Sequence, residues 1–449
     1  MSERKTIYLC LAHMSEEGWE QKYVKEAFDT NWVVPMGPNV NAFEKDLADF
    51  ANSLTPSLPS REGGTSPQEG EIERGLLDRT VVCLSSGTGA VHLALLACGV
   101  GPGDEVCVQS FTFCASSHPI TYCGAKPVFI GSEKDTWNMD PDLLEQAILD
   151  RKARTGRYPK AIVPVALYGM PYQIDRIMAI ADRYGIPVIE DAAEGMGSRF
   201  GGQVLGTFGK YGVLSFNGNK MITTSGGGAL ICRTPEDANQ IMWLATQARD
   251  AYPYYQHTAI GFNYRMSNVC AGIGRGQMTV LDAHIAHHKH VQALYEQLLA
   301  DVPGVAIHKQ PHPALDAGSP EYDSNYWLCT MTLDPSVKVR GQENAYKEVI
   351  KTAVGGAAGV IHQVDSPVTD CQPNDNVEAM RVWMLGKKVE CRPVWKPMHK
   401  QPVYAGCDVY TNGVEEAIFK IGMCLPAGPY VTDEDVRYIV ECIKEAIEK

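Results

Sequence analysis

The sequence predicts an α/β fold, with a large domain on a mainly parallel sheet and a smaller C-terminal α/β domain. Three observations carry this reading. Seven short β-branched or apolar runs recur between residues 80 and 230, and helical periodicity fills the segments between them. The chain of 449 residues, 45% hydrophobic, is long enough for more than one core. Strands that alternate with helices point to parallel pairing, and such sheets bind ligands outside the carboxyl ends of their strands.

The expected strands are, in order, "VVCL" (81–84), "EVCVQ" (105–109), "PVFI" (127–130), "AIVPVAL" (161–167), "PVIE" (187–190), "VLSF" (213–216) and "ALIC" (229–232). From "MSNVCAGIGRGQMTVLDAHIAHHKHVQALYEQLLADV" the chain turns helical and then mixed, which divides it into domains at 1–280 and 281–449. Two stretches rich in Pro, Gly, Ser and charge, about 52–75 and 355–376, read as polar surface insertions.

The net charge of −13 argues against nucleic-acid or anionic-membrane partners and favours small metabolites. The first thirty residues hold too short an apolar run for a signal peptide, and no segment approaches the ~20 apolar residues of a membrane span. A cytoplasmic location is expected. The fourteen cysteines form no C-x-x-C pair and read as small buried apolar residues. In "HIAHHKH", residues His284, His287, His288 and His290 have helical spacing, but no carboxylate or cysteine joins them. A solvated helix face is expected there, and no metal site.

The chemistry begins at "CLSSGTGAVHLALLACG". A strand ends at Leu84, small residues follow, and an amphipathic helix is expected to begin near Ala90. Free amides at a helix N-terminus, beside the Ser86 or Thr88 hydroxyl, form an anion site suited to phosphate, although an ordinary capped helix looks similar. In "IPVIEDAAEGMGSRFGG", Asp191 stands at the carboxyl end of a buried strand. It is either a helix cap or a carboxylate held for a cationic partner. In "SFNGNKMITTSGGG", Lys220 sits alone among small and amide residues, and its nearest charged neighbours in sequence are Lys210 and Arg233. An anion cradle, a strand-end aspartate and an isolated lysine are together the parts needed to hold pyridoxal phosphate.

The order of SGT, "SFTF", "EDAAEGMGS", "SFNGNKMITTSGGG", "GFNYRMS" and "RPVWKPMH" resembles the DegT family of sugar-nucleotide aminotransferases, within the fold type I pyridoxal phosphate enzymes. The resemblance covers roughly 10–50, 80–310 and 385–445. It implies that Lys220 is the Schiff-base lysine, that Asp191 pairs with the pyridine nitrogen, and that Phe113 stacks on the cofactor ring. Gly87, Thr88 and Ser215 would hold the phosphate, with Asn263 reaching across from a second subunit, which makes a homodimer the smallest working unit. Glu194 stands where many relatives carry glutamine or histidine, and glutamate there resembles the branch that aminates carbon 4 of the sugar. Arg392, Trp395, Lys396 and His399 of "CRPVWKPMHKQPVY" are candidate substrate contacts. Arg392 would clamp either the donor carboxylate or the nucleotide diphosphate, and Trp395 either packs or touches ligand.

The resemblance therefore implies transfer of an amino group from glutamate to carbon 4 of a UDP-linked 4-keto-6-deoxy-N-acetylhexosamine, for bacterial glycan synthesis. A GDP-perosamine synthase is the nearest alternative. A dehydratase on the same fold would carry histidine in place of Lys220. A non-catalytic sensor is the alternative from another class.

Overall fold

The computed structural model describes residues 4–53, 78–311, 322–347 and 371–448. The insertion expected at 52–75 lies outside them apart from its first two residues. Of that expected at 355–376, only 371–376 is described, and there Asn374 already precedes the helix Asp375–Gly386.

The seven expected strands all form. They are β1 (Thr80–Leu84), β2 (Glu105–Gln109), β3 (Lys126–Ile130), β4 (Ala161–Val163), β5 (Ile189–Asp191) and, after a short hairpin of β6 (Arg199–Phe200) and β7 (Gln203–Val204), β8 (Tyr211–Ser215) and β9 (Gly228–Cys232). Strand β4 stops at Val163 because Pro164 has no amide for the ladder, and Val165 keeps only a single bridge, to Asp191. The second part contributes β10 (Val305–Ile307), β11 (Tyr322–Asp323), β12 (Cys329–Leu333), β13 (Arg392–Pro393), β14 (Val409–Tyr410) and β15 (Gly422–Leu425).

The large sheet runs β1-β9-β8-β5 and continues, through bridges between β5 and β4, as β4-β2-β3-β14. Pairing is parallel from β8 to β14. Strand β9 is the exception, antiparallel to both β1 and β8. No helix separates β8 from β9, so the chain turns back beside itself and must run the other way. Helices Gly87–Ala97, Pro141–Thr155 and Ile174–Tyr184 are crossovers between parallel strands. Their ends follow local chemistry: Asp140 caps Pro141–Thr155, and Gly156 and Gly185 leave their helices at φ 75° and 64°.

Strands β10-β12-β15-β13 form a wholly antiparallel second sheet. Helix Leu281–Leu299 joins the two cores: Leu281 packs in that of the large sheet, while Val291, Leu294 and Tyr295 pack in that of the second. The sheets also exchange chain. Strand β14 extends the large sheet beside β3, and Ile7 near the N-terminus bridges to Val389 of the second part.

Two expectations are corrected. The helix after β1 starts at Gly87, and its residues Gly89–Leu95 are all buried, so it is a core helix and not an amphipathic one. The histidine run is not a solvated face: His284 and His288 are buried and only His290 is exposed. The helix turns that face onto the segments around residues 221 and 326, which supply carbonyls to both rings. The cysteines are all free, and most are buried. Among the described residues no helix is long and apolar enough to cross a membrane, and no cluster of side chains could hold a metal ion.

Candidate active site

The carboxyl ends of β1, β5 and β8 open onto one cavity of about 300 Å³. This is where an open parallel sheet presents backbone and side chains to a ligand.

One wall of the cavity is built for an anion. Ser86, in an extended conformation, caps the helix Gly87–Ala97 by accepting from the Gly89 amide at 3.0 Å. The amides of Gly87 and Thr88 lie ahead of the helix's own ladder and have no acceptor within it. Glycine keeps this wall open at two points, tightly at Gly87 and with no room to spare at Gly228. A Cβ on Gly87 would sit 3.0 Å from Ser215 Cβ and 3.3 Å from its hydroxyl, and one on Gly228 would overlap the Gly87 amide nitrogen. The result is two free amides and a hydroxyl at the positive end of a helix.

Asp191 ends β5 and is buried. Its Oδ2 accepts from Ser116 Oγ at 2.6 Å and its Oδ1 from the Ala193 amide at 3.2 Å, while Thr112 Oγ1 stands 2.8 Å from Ser116 Oγ. Burial pushes the carboxyl above its ordinary range, and the Ser116 and Ala193 hydrogen bonds and the Lys220 charge pull it down. The preceding residue, Glu190, does structural work, accepting from the amides of Gly206 (3.1 Å), Phe208 (2.6 Å) and Gly209 (2.6 Å).

Lys220 follows β8 on a turn closed by its own amide donating to the Asn217 carbonyl at 3.0 Å. Its Nζ lies 3.4 Å from Glu194 Oε1 and 4.2 Å from the centre of the Trp327 ring. The other oxygen of Glu194 accepts from the Tyr168 amide at 2.7 Å. Burial raises the Glu194 pKa, Lys220 and the Tyr168 amide oppose that, and Asp191 adds to it. Asn325 fixes the backbone behind Glu194, donating to the carbonyls of Glu194 at 2.9 Å and Met196 at 2.8 Å. From the opposite side, His284 donates to the Met221 carbonyl at 3.2 Å, next to the lysine.

Gly87, Thr88, Phe113, Asp191, Glu194, Ser215, Lys220 and Trp395 all line this cavity. The Phe113 ring is half-exposed at 48% and stands 5.3 Å from that of Trp395, whose amide donates to the Tyr168 hydroxyl at 2.7 Å. The other four candidates do not line it. Asn263 is exposed on the bridge to Thr246. Arg392 is held by Glu390 at 2.6 Å. Lys396 is half-buried nearby in sequence. His399 is engaged by Ser110 Oγ at 2.7 Å and Glu416 Oε1 at 3.1 Å.

Sequence reasoning missed Ser116, Tyr168, Asn325 and Trp327. Ser116 lies three residues past Phe113, so the signal was at hand. The others arrive from distant segments, and no local spacing marks them.

A chain with these features, a strand-end aspartate and a lysine meeting beside a helix N-terminus, matches a known family model over residues 69–356 and 342–444. The chain belongs to the DegT/DnrJ/EryC1/StrS aminotransferase family. Among relatives, it is 38% identical over 443 residues to EpsN of Bacillus subtilis, whose assignment as a pyridoxal phosphate-dependent aminotransferase is itself provisional; the match covers 98% of this chain and 95% of EpsN. It is 32% identical over 431 residues to the GDP-perosamine synthase of Caulobacter vibrioides, covering 96% of each. A DegT/DnrJ/EryC1/StrS aminotransferase from Brucella abortus has the same fold, with a TM-score of 0.75 and 24% identity over 96% of each chain.

Membership makes this chain an aminotransferase with pyridoxal phosphate as its cofactor. The donor set suits that molecule. The free amides and hydroxyl match an anionic phosphate, the buried Asp191 carboxyl matches a protonated ring nitrogen, and the Lys220 amine matches an aldehyde.

Proposed function

We propose that this aminotransferase moves an amino group from glutamate to carbon 4 of a UDP-linked 4-keto-6-deoxy-N-acetylhexosamine, for bacterial glycan synthesis. One observation carries the reading: Glu194, the residue by which the chain resembles the carbon-4 branch, stands 3.4 Å from the Lys220 amine inside the cavity. Family membership and nucleotide-sugar relatives support the substrate class.

When bound, pyridoxal phosphate supplies an electron sink for the carbon that loses a proton and carries the amino group between two half-reactions. The chain's residues do the rest. Gly87 and Thr88 amides, with the Ser215 hydroxyl, bind the phosphate. Asp191, steadied by Ser116, would hold the ring nitrogen in its protonated form, and Phe113 would stack on the ring. Lys220 Nζ takes the proton from the donor's α-carbon and, in the reverse half, returns one to carbon 4 of the sugar. Glu194 is a nearby partner for the charge that the amine then holds.

Asn263, exposed in one chain, completes the phosphate site of a second copy, so that a homodimer is the working unit. Arg392, Trp395, Lys396 and His399 are the residues we assign to substrate contact, of which Trp395 lines the cavity, and the enzyme works in the cytoplasm. A GDP-linked acceptor is the second reading, favoured by the 32% identity to a GDP-perosamine synthase over almost the whole chain. Isothermal titration with UDP and GDP separates the two, and NMR of the product formed from glutamate and candidate keto sugars tests the reaction. Tight GDP binding without UDP binding, or an amine at another carbon, overturns the first reading.

A further inference from the structure

Trp327 has no part in the roles above, yet it touches the reacting amine. It is buried, with 1% of its surface exposed, and both ends of the residue are tied. Its indole Nε1 donates to the Asn219 carbonyl at 2.7 Å, one residue before the lysine, and its amide donates to Asn325 Oδ1 at 2.8 Å. Asn325 in turn holds the Glu194 loop. The ring face, the lysine turn and the glutamate are therefore parts of one hydrogen-bonded frame.

The lysine must leave the cofactor in every cycle, and once its amine has taken the proton from the donor's α-carbon it holds a positive charge in a buried site. A charged amine there needs a partner. Glu194 is one, but burial raises its pKa; Asp191 and the Cys10 thiol also sense the Lys220 charge. An indole face attracts an ammonium through its quadrupole and does not titrate.

We propose that Trp327 is a positioning residue whose indole face berths the amine of Lys220 while the lysine, released from the cofactor, holds a proton. The berth keeps the amine beside the carbon from which it takes or returns a proton, and the tie to Asn219 makes ring and lysine turn move together. This inference rests on the Schiff-base role of Lys220 proposed above.

The test uses the full-length protein loaded with pyridoxamine phosphate, in which the lysine is unbonded. Tetrafluorotryptophan is installed at position 327, keeping shape and N–H donor while draining the negative charge of the face. Trp327→Phe is the second variant. Trace acylation followed by peptide mass spectrometry reads the labelling rate of Lys220, with the half-buried Lys210, which is paired with Asp237, as the internal control. Loss of the face leaves more of the amine uncharged and reactive, so the fluorinated protein should label Lys220 ~10-fold faster, and Trp327→Phe should fall between it and the native protein. Lys210 should not change. An unchanged Lys220 rate in the fluorinated protein overturns the proposal. Hydride reduction of the pyridoxal phosphate form keeps the two ideas apart, since a label on a lysine other than Lys220 sinks the functional reading instead.

Discussion

The backbone of Gly228 lies against that of Gly87, so that a methyl group on Gly228 would overlap the Gly87 amide nitrogen and come within 2.5 Å of the Ser86 carbonyl carbon. Strand β9 thus forms the floor under the anion site. Gly228→Ala should destabilise the protein by about 1–3 kcal/mol and weaken cofactor binding more than the fold itself. Thermal unfolding with and without pyridoxal phosphate measures this. A variant that keeps the full stabilisation by cofactor would show that the floor can shift without harm.

Lys220→Ala should remove the absorbance band of the lysine-bonded cofactor and leave only that of the free aldehyde, because alanine has no amine to bond it. Borohydride reduction and peptide mapping of the unaltered protein should mark Lys220. A mark elsewhere ends its assignment.

Asp191→Asn should fold normally while turnover falls by ~10²-fold or more, since a neutral amide stabilises a protonated ring nitrogen poorly. The cofactor-free proteins should behave differently. Burial raises the Asp191 pKa, so the folded state binds more protons than the unfolded one. The contribution of this carboxyl to stability is then present below its unfolded pKa and lost as pH rises through the folded one. Melting curves across the acid range should therefore fall less with rising pH for cofactor-free Asp191→Asn than for the native protein. Parallel curves would mean that the Ser116 and Ala193 hydrogen bonds offset burial in full.

His288 gives the opposite dependence. Burial lowers its pKa from 6.5 to about 3, while its Nδ1 donates to the Tyr326 carbonyl at 3.1 Å. Unfolding takes up a proton, so stability is lost as pH falls from near 6.5 toward 3. His288→Gln should be less stable at neutral pH yet lose less on acidification, as read by chemical denaturation at several pH values. An equal loss in both proteins would assign the acid sensitivity to other groups.

Asn263 is exposed and stands outside the cavity of its own chain. If it serves a second copy, Lys220→Ala and Asn263→Ala chains should complement in a mixed dimer, because one of its two sites would hold both native groups. Asn263→Ala alone should cost about 1.5–3 kcal/mol of phosphate binding. Mixed dimers isolated by two tags, no more active than the parents predict, would argue for a site built within one chain.

The sequence made visible those features that local chemistry specifies. Apolar runs bounded by small residues mark the strands; Asp191 and Gly87 stand at the ends of such runs, and Lys220 stands out because no other charged residue lies between Lys210 and Arg233. Strand direction was less visible: β9 looks like its parallel neighbours in composition and differs only in lacking a preceding helix. Trp327 reaches the cavity, and Tyr168 the Glu194 carboxylate and the Trp395 amide behind it, through tertiary approach, which periodicity cannot register. Polarity in the histidine run suggests exposure, whereas backbone carbonyls of two distant segments bond Nδ1 of His284 and of His288 inside the fold.

The exchange of strands between the two sheets bears on how this protein can be recombined. With β14 completing the large sheet beside β3, and Ile7 bridged to Val389, neither half is a self-contained cassette. A chimera that takes its C-terminal half from a relative, to acquire another sugar preference, must import a strand matched to the β3 edge together with the new substrate residues. Without it the open edge of β3 would offer unpaired amides and carbonyls to any passing chain, and the hybrid would precipitate before its specificity could be read.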